Sequence, residues 1–247
     1  KSIHQYEADY SGAGHDFTGF TFELRASMDI LDPADGTVIT RVGELAKTIV
    51  NGKYEETGRF HLDESGHYTL SDIPLGVYEL KETDIPEEFV THTETWKLEW
   101  KQDADDRMER VIEKTVDVEN YPTLISVSKK AVTGEDELPG AQLHVSDENG
   151  EVIDSWISKE MPHIMEGLKK GHTYCLTEDL APLGYVKASS VYFTVNDEMD
   201  VQSVTMRDQI VEVLKQDCSF SSVKGAHMQI IDENGNTRIY KLYDQVT

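Results

Sequence analysis

Three ionisable residues stand where the strand pattern leads one to expect apolar ones. Ile125, Val127 and Lys129 fall on one face of a period-two segment, opposite Ser126, Ser128 and Lys130. Tyr174, Leu176 and Glu178 share a face opposite Cys175 and Thr177. Val204, Met206 and Asp208 line up in the same way opposite Ser203, Thr205 and Arg207. An amine and two carboxyls therefore come to lie in or beside one core, and three readings are open. Each strand could simply leave the core at that residue. The groups could form a buried ion pair, which is poor evidence for stability because desolvation offsets the attraction. The third reading is chemistry. Desolvation lowers the pKa of a buried lysine amine and raises that of a buried glutamate. A neutral amine facing a carboxyl or carboxamide, with a protonated acid bridging them, is set up to form an amide.

The chain that must position these groups has 247 residues, 23 basic against 47 acidic, for a formal charge of −24. Such a balance excludes a basic nucleic-acid groove and argues against docking on an anionic membrane. Its length suits two modules and part of a third, and a hydrophobic fraction of 38% is enough for ordinary cores. Two cysteines, Cys175 and Cys218, cannot build a disulfide framework. No apolar run approaches the ~20 residues that span a bilayer. Opening on Lys1 with no charged-then-apolar leader, the sequence reads as a processed or excised piece of something longer.

The secondary-structure signal is strand. Runs rich in Val, Ile, Tyr, Phe and Thr predict strands at Thr21–Arg25, Tyr78–Glu82, Thr115–Val118, Ile125–Lys129, Val191–Val195 and Val204–Met206. Val42–Val50 reads as a short helix and Glu160–Leu168 as an irregular crossover. Many short strands with frequent turns indicate an all-β sandwich or barrel. The series Lys129-Lys130, Leu138-Pro139-Gly140-Ala141 and Asp147-Glu148-Asn149-Gly150 recurs about 85 residues later, at Lys215, Val223-Lys224-Gly225-Ala226 and Asp232-Glu233-Asn234-Gly235. Tyr78-Glu79-Leu80-Lys81-Glu82 likewise answers Tyr174-Cys175-Leu176-Thr177-Glu178. Three units follow: 1–122 with long insertions, including an acidic loop at Gln102–Arg110; 123–210; and 211–247, which matches only the opening strands of a unit. Tyr121-Pro122 is the expected linker.

Ser126-Val-Ser-Lys-Lys, Leu138-Pro-Gly-Ala, Tyr174-Cys-Leu-Thr-Glu-Asp-Leu-Ala-Pro-Leu-Gly-Tyr185 and Val204-Thr-Met-Arg-Asp208 together resemble a Cna-B repeat, the B-type module of Gram-positive collagen adhesins and pilins. In the first unit the resemblance rests on Phe17-Thr-Gly-Phe-Thr-Phe-Glu-Leu24, Tyr78–Pro86 and Val116–Asn120. It implies tandem transthyretin-like (inverse Ig-like) β-sandwiches, the last one incomplete. It also implies an internal isopeptide bond between a Lys on the first strand and an Asn or Asp on the last, with a Glu shuttling protons. Carried over, Lys129 is the nucleophile, Asp208 the acceptor and Glu178 the acid/base. In the first unit Glu82 and Asn120 match, but the opening strand Ser2–Asp9 places Gln5 where the lysine is expected. No bond is then expected by the usual route, and a bond from Lys1 would need a different register. Lys215 has no acceptor or Glu after it before Thr247 and is expected to stay unreacted.

Other groups point elsewhere. Asp147–Glu151 and Asp232–Asn236 carry oxygens but lack a calcium-loop spacing, and Asn-Gly signals a hairpin turn. The 9 histidines make no zinc-ligand set, and Gly12-Ala-Gly14 opens no phosphate loop, so no metal or cofactor is expected. Leu138-Pro-Gly-Ala141 sits mid-chain with no apolar tail and is not read as a wall-sorting signal. Asn120-Tyr-Pro-Thr123 resembles a pilin Tyr-Pro-Lys motif with Thr123 in place of the linking lysine. The functional expectation is a stalk segment of a cell-wall-anchored surface adhesin or pilin, extracellular, with neighbouring repeats as partners and no external substrate turned over. The alternative is that the first unit is an adhesive head for a host protein or glycan. A carbohydrate-active site would need a recognisable carboxylate pair, which the sequence lacks.

Overall fold

A computed structural model of the chain describes residues 2–3, 17–92, 94–101, 113–211, 227–231 and 237–241, and no helix occurs among them. Runs of β-branched and aromatic residues alternating with polar ones become strands throughout. The first domain carries β1 (Ser2–Ile3), β2 (Thr21–Ala26), β3 (Ile30–Leu31), β4 (Val38–Thr40), β5 (Lys47–Val50), β6 (Lys53–Glu56), β7 (Arg59–His61), β8 (Gly76–Asp84), β9 (Thr95–Trp100) and β10 (Glu119–Asn120). The second carries β11 (Leu124–Ala131), β12 (Gln142–Ser146), β13 (Val152–Ile157), β14 (His163–Glu166), β15 (Thr173–Leu180), β16 (Tyr185–Val186), β17 (Val191–Thr194) and β18 (Gln202–Ile210). A hairpin of β19 (His227–Ile231) and β20 (Thr237–Lys241) follows.

The second domain is a sandwich of two four-stranded sheets, ordered β14-β11-β18-β16 and β13-β12-β15-β17. Ile125, Val127, Leu143, Val145, Met165, Tyr174, Leu176, Phe193, Val204 and Met206 fill the space between them. Its first and last strands, β11 and β18, are parallel neighbours. In the first domain the sheet β7-β2-β8-β9 packs Phe22, Leu24, Tyr78, Leu80 and Trp100 inward, and the first and last strands again pair in parallel as β1 and β10.

Three local expectations are corrected. Val42–Val50 is a turn leading into β5, because Ala46 pairs its backbone with Leu24 and Gly58 rather than with its own chain. The expected crossover at Glu160–Leu168 contains β14, an antiparallel partner of β11. Thr115–Val118 joins no ladder, and strand pairing begins only at Glu119. Among the described residues, a cavity of about 920 Å³ opens between this stretch and the β2-β8-β9 face, with Phe22, Leu80 and Trp100 in its wall. The opening segment after Ile3, Gly12–Gly14, the Gln102–Arg110 loop, Lys215, Cys218 and Asp232–Asn236 lie outside the described residues.

The linker is pinned rather than free. Val90 N–H donates to Tyr121 O, Thr123 N–H to Glu88 O and Gly167 N–H to Thr123 O. Lys170 N–H reaches Glu87 O, and Thr91 N–H donates to Asp197 Oδ1 at 2.7 Å. Residues 87–91 of the first domain therefore clasp two loops of the second.

Close backbone approach in the first domain depends on Gly58. Its carbonyl accepts Leu24 N–H and its N–H donates to Ala46 O. A Cβ there would stand 2.4 Å from Ala46 N and 2.5 Å from Leu24 O, both of them backbone atoms that cannot swing aside. Gly58→Ala should cost roughly 3 kcal/mol, the upper end for over-packing. Calorimetry should find the first-domain transition lowered and the second unmoved; equal stability of the variant would contradict the packing described.

Candidate functional site

The alternation that brings Lys129, Glu178 and Asp208 onto inward faces holds in three dimensions, and all three are at most 1% exposed. β11 supplies Lys129 directly after Ile125 and Val127, β15 supplies Glu178 after Tyr174 and Leu176, and β18 supplies Asp208 after Val204 and Met206. The three strands belong to both sheets, so the cluster spans the sandwich. Lys129 Nζ donates to Asp208 Oδ1 in a close contact and lies 3.0 Å from Glu178 Oε1. Burial pushes the Asp208 carboxyl above its ordinary value, with the neighbouring Glu178 adding to the rise and Lys129 opposing it. That direction favours the neutral acid, the form an amine can attack.

Fixed groups hold the arrangement. Ala188 N–H donates to Glu178 Oε2 at 2.7 Å, which orients the carboxyl and leaves Oε1 toward the amine. Lys129 N–H donates to Glu137 Oε2 and its carbonyl accepts Leu138 N–H, so the 132–138 segment is anchored at Lys129. Arg207 makes two 2.9 Å bonds to Glu135 and others to Ala131 and Gly134 carbonyls, tying that segment to β18. Asp208 Oδ2 is buried without a hydrogen-bond partner. An amine wedged between two carboxyls, sealed from water, is the geometry of an amide condensation in which one carboxyl reacts and the other moves protons.

The first domain repeats the frame with different groups. Glu82 follows Tyr78 and Leu80 on β8 as Glu178 follows Tyr174 and Leu176 on β15, and Glu82 is 4% exposed. In both domains a register shift in the neighbouring strand sits beside this glutamate, between Thr21 and Phe22 and between Gln142 and Leu143. Asn120 is fully buried, and its Nδ2 donates to Glu82 Oε2 at 3.2 Å. The parallel register corrects the sequence alignment. In the second domain the residue opposite Asp208 is Ala131, two beyond Lys129. In the first, the residue opposite Asn120 is Ile3, so the position matching Lys129 is 1, which is a lysine, and not 5. Lys1 and Gln5 themselves lie outside the described residues.

Two partners were not readable from strand alternation. Ala188 N–H and the His92 ring, whose Nε2 is 3.4 Å from Glu82 Oε2, both come from connecting segments. The candidate turn at Asp147 is a turn: its Oδ1 accepts the N–H groups of Asn149 and Glu151, which also lowers the Asp147 carboxyl below its ordinary range. Among the described residues no group of three His, Cys, Asp or Glu is placed to hold a metal ion. No described helix is long and apolar enough to cross a membrane.

Two domains, each with parallel first and last strands, define a tandem prealbumin-like sandwich protein. Residues 11–114 and 123–210 each match the SpaA prealbumin-like fold domain, and the chain belongs to that family. This agrees with the resemblance to Cna-B repeats. Among solved structures it is similar to the Bacillus anthracis TIE protein at 18% identity, covering 89% of this chain and 37% of that one, with a TM-score of 0.40. A streptococcal ancillary pilin is 20% identical over 78% of this chain and 57% of its own, TM-score 0.31. The shaft pilin SpaA from Lactobacillus rhamnosus GG is 14% identical over 87% of this chain and 97% of its own, TM-score 0.33. The chain thus spans less than two thirds of the length of the first two. No curated protein sequence matches it.

Proposed function

We propose that the chain is a shaft segment of a Gram-positive surface adhesin or pilin, displayed outside the cell, whose domains are closed by self-formed isopeptide bonds. The observation that carries the reading is the buried Lys129 amine held between Asp208 Oδ1 and Glu178 Oε1. Lys129 passes a proton to Glu178 and attacks Asp208 Cγ. The new C–N bond forms, a C–O bond breaks, and Glu178 returns a proton to the departing oxygen, which leaves as water. The reaction occurs once per domain and consumes no external substrate.

The parallel register supports a second bond, from Lys1 to Asn120 with Glu82 as shuttle, in which ammonia replaces water as the leaving group. Tandem domains with the first strand tied to the last suit a load-bearing shaft, where neighbouring repeats are the partners.

Intact-mass measurement of the denatured full chain, followed by fragmentation of its digest, tests both bonds. The expected result is the loss of one water and one ammonia, with Lys129 joined to Asp208 and Lys1 to Asn120. A chain that retains its water overturns the second-domain bond. One that has lost water but kept its ammonia overturns the first.

A further inference from the structure

We propose that Thr123 and the 86–91 turn dock the first domain on the second in one fixed orientation, so that the two move as a single stiff unit. The inference goes beyond the shaft reading and needs neither amide, since both of those bonds would close within a domain. Tandem domains move relative to one another by default unless an extensive interface holds them, and this joint is bonded on both sides. Thr123 is 1% exposed. Its N–H donates to Glu88 O in the first domain, while its hydroxyl donates to Leu168 O and its carbonyl accepts Gly167 N–H in the second. Every polar group it carries is therefore engaged across the joint. The lysine that a Tyr-Pro-Lys motif places here has no hydroxyl to give Leu168.

Around Thr123 the 86–91 turn meets two loops of the second domain. Glu87 O accepts Lys170 N–H at 2.8 Å, Thr91 N–H donates to Asp197 Oδ1 at 2.7 Å, and Lys170 Nζ donates to Thr91 Oγ1. The two loops are tied to each other within their own domain, by Gly171 N–H to Val195 O and Val195 N–H to His172 O. Bonds at Leu168, Lys170 and Asp197 thus fall at separate points of one rigid surface, and no rotation about the linker keeps them all. The outer pairs, Glu88 with Lys169 at 3.9 Å and Glu87 with His172 at 3.4 Å, are solvent-exposed and add little.

The second domain holds the same turn without these groups. Phe89 N–H donates to Pro86 O as Tyr185 N–H does to Pro182 O, and Thr123 N–H donates to Glu88 O as Val211 N–H does to Gly184 O. Phe89 bridges Pro122 as Tyr185 pairs with Ile210. Leu183, Gly184, Lys187 and Val211 therefore stand where Glu87, Glu88, Thr91 and Thr123 stand in the first domain. The turn closes against its own exit strand with either set of side chains. The two threonine hydroxyls accordingly serve the neighbouring domain and not the turn itself. Exposure agrees, for Val90 is 3% exposed and Val186, its counterpart, 49%.

The test is backbone amide spin relaxation on the full chain, which yields a rotational correlation time for each domain. The native chain should give one common time for both. Thr123→Val keeps the shape, matches the residue found at 211 and leaves Leu168 O without its donor. Combined with Asp197→Ala it should abolish the common time and leave two shorter, unequal ones. Amide exchange in β8 and β11 shows whether each domain of the variant is still folded. Leu183→Ala, in the corresponding turn of the second domain, should keep the common time. Separate times in the native chain would overturn the docking, whatever the variants do. A folded double variant that keeps the common time would overturn the part assigned to Thr123 and Asp197. A loss as large in Leu183→Ala would overturn the specificity of the joint. The intact mass of the same native sample reports the two amides independently, so a failure of the cross-links and a failure of the joint are told apart.

Discussion

Glu178→Gln should leave Lys129 and Asp208 unjoined and lower the second-domain unfolding midpoint by roughly 20–35 °C. The two residues are 79 apart in sequence, and a covalent link closing a loop of that size removes about 4–5 kcal/mol of chain entropy from the unfolded state. For a domain of this length each kcal/mol moves the midpoint by about 4–8 °C. Gln is the informative replacement because its carbonyl can still accept Ala188 N–H and its volume matches, so the packing around β15 is kept. Lys129→Ala would confuse the measurement. It strands two buried carboxyls without their cation, a loss of about 3–5 kcal/mol separate from the bond. Calorimetry and intact mass on the same sample decide the matter. A variant that still loses water shows that Glu178 is not the shuttle. One that keeps its water but melts with the native chain shows that the bond does not carry the stability.

The three buried ionisable residues of the second domain were legible because strand faces are set by local alternation. Lys129, Glu178 and Asp208 each extend an apolar series by one step of two, and a period of two leaves no choice of side. Registers between distant strands are a different matter. β1 and β10 are joined by more than a hundred residues and no tight turn fixes their offset, so the sequence reading placed Gln5 at the lysine position, whereas the pairing of Ile3 with Asn120 points to position 1. Ala188 and His92 were hidden for a related reason: each belongs to a segment with no period, delivered to its glutamate by packing elsewhere. Val42–Val50 misled in the opposite direction. Its apolar spacing suits a helix turn, but Ala46 is wholly buried between Leu24 and Gly58, and the pairing of three strands outweighs local preference.

Under force the native second domain should give no unfolding step, whereas Glu178→Gln should release roughly 260–280 Å of chain for the 79 residues between Lys129 and Asp208. Load enters at the start of β11 and leaves at the end of β18, two adjacent strands running the same way. Pulling the ends apart therefore shears their ladder. In an uncross-linked domain that ladder is the mechanical clamp, and once its hydrogen bonds slip, the remaining strands follow. An amide between Lys129 and Asp208 moves the load from β11 to β18 through side chains and bypasses everything between them. The sandwich then carries force as a covalent strut, and β12 to β17 never enter the path. Single-molecule extension of the full chain, with the variant as control, checks this. A native chain that releases the same length as Glu178→Gln would mean the amine and acid stay an ion pair, and the shaft reading would lose its mechanical basis.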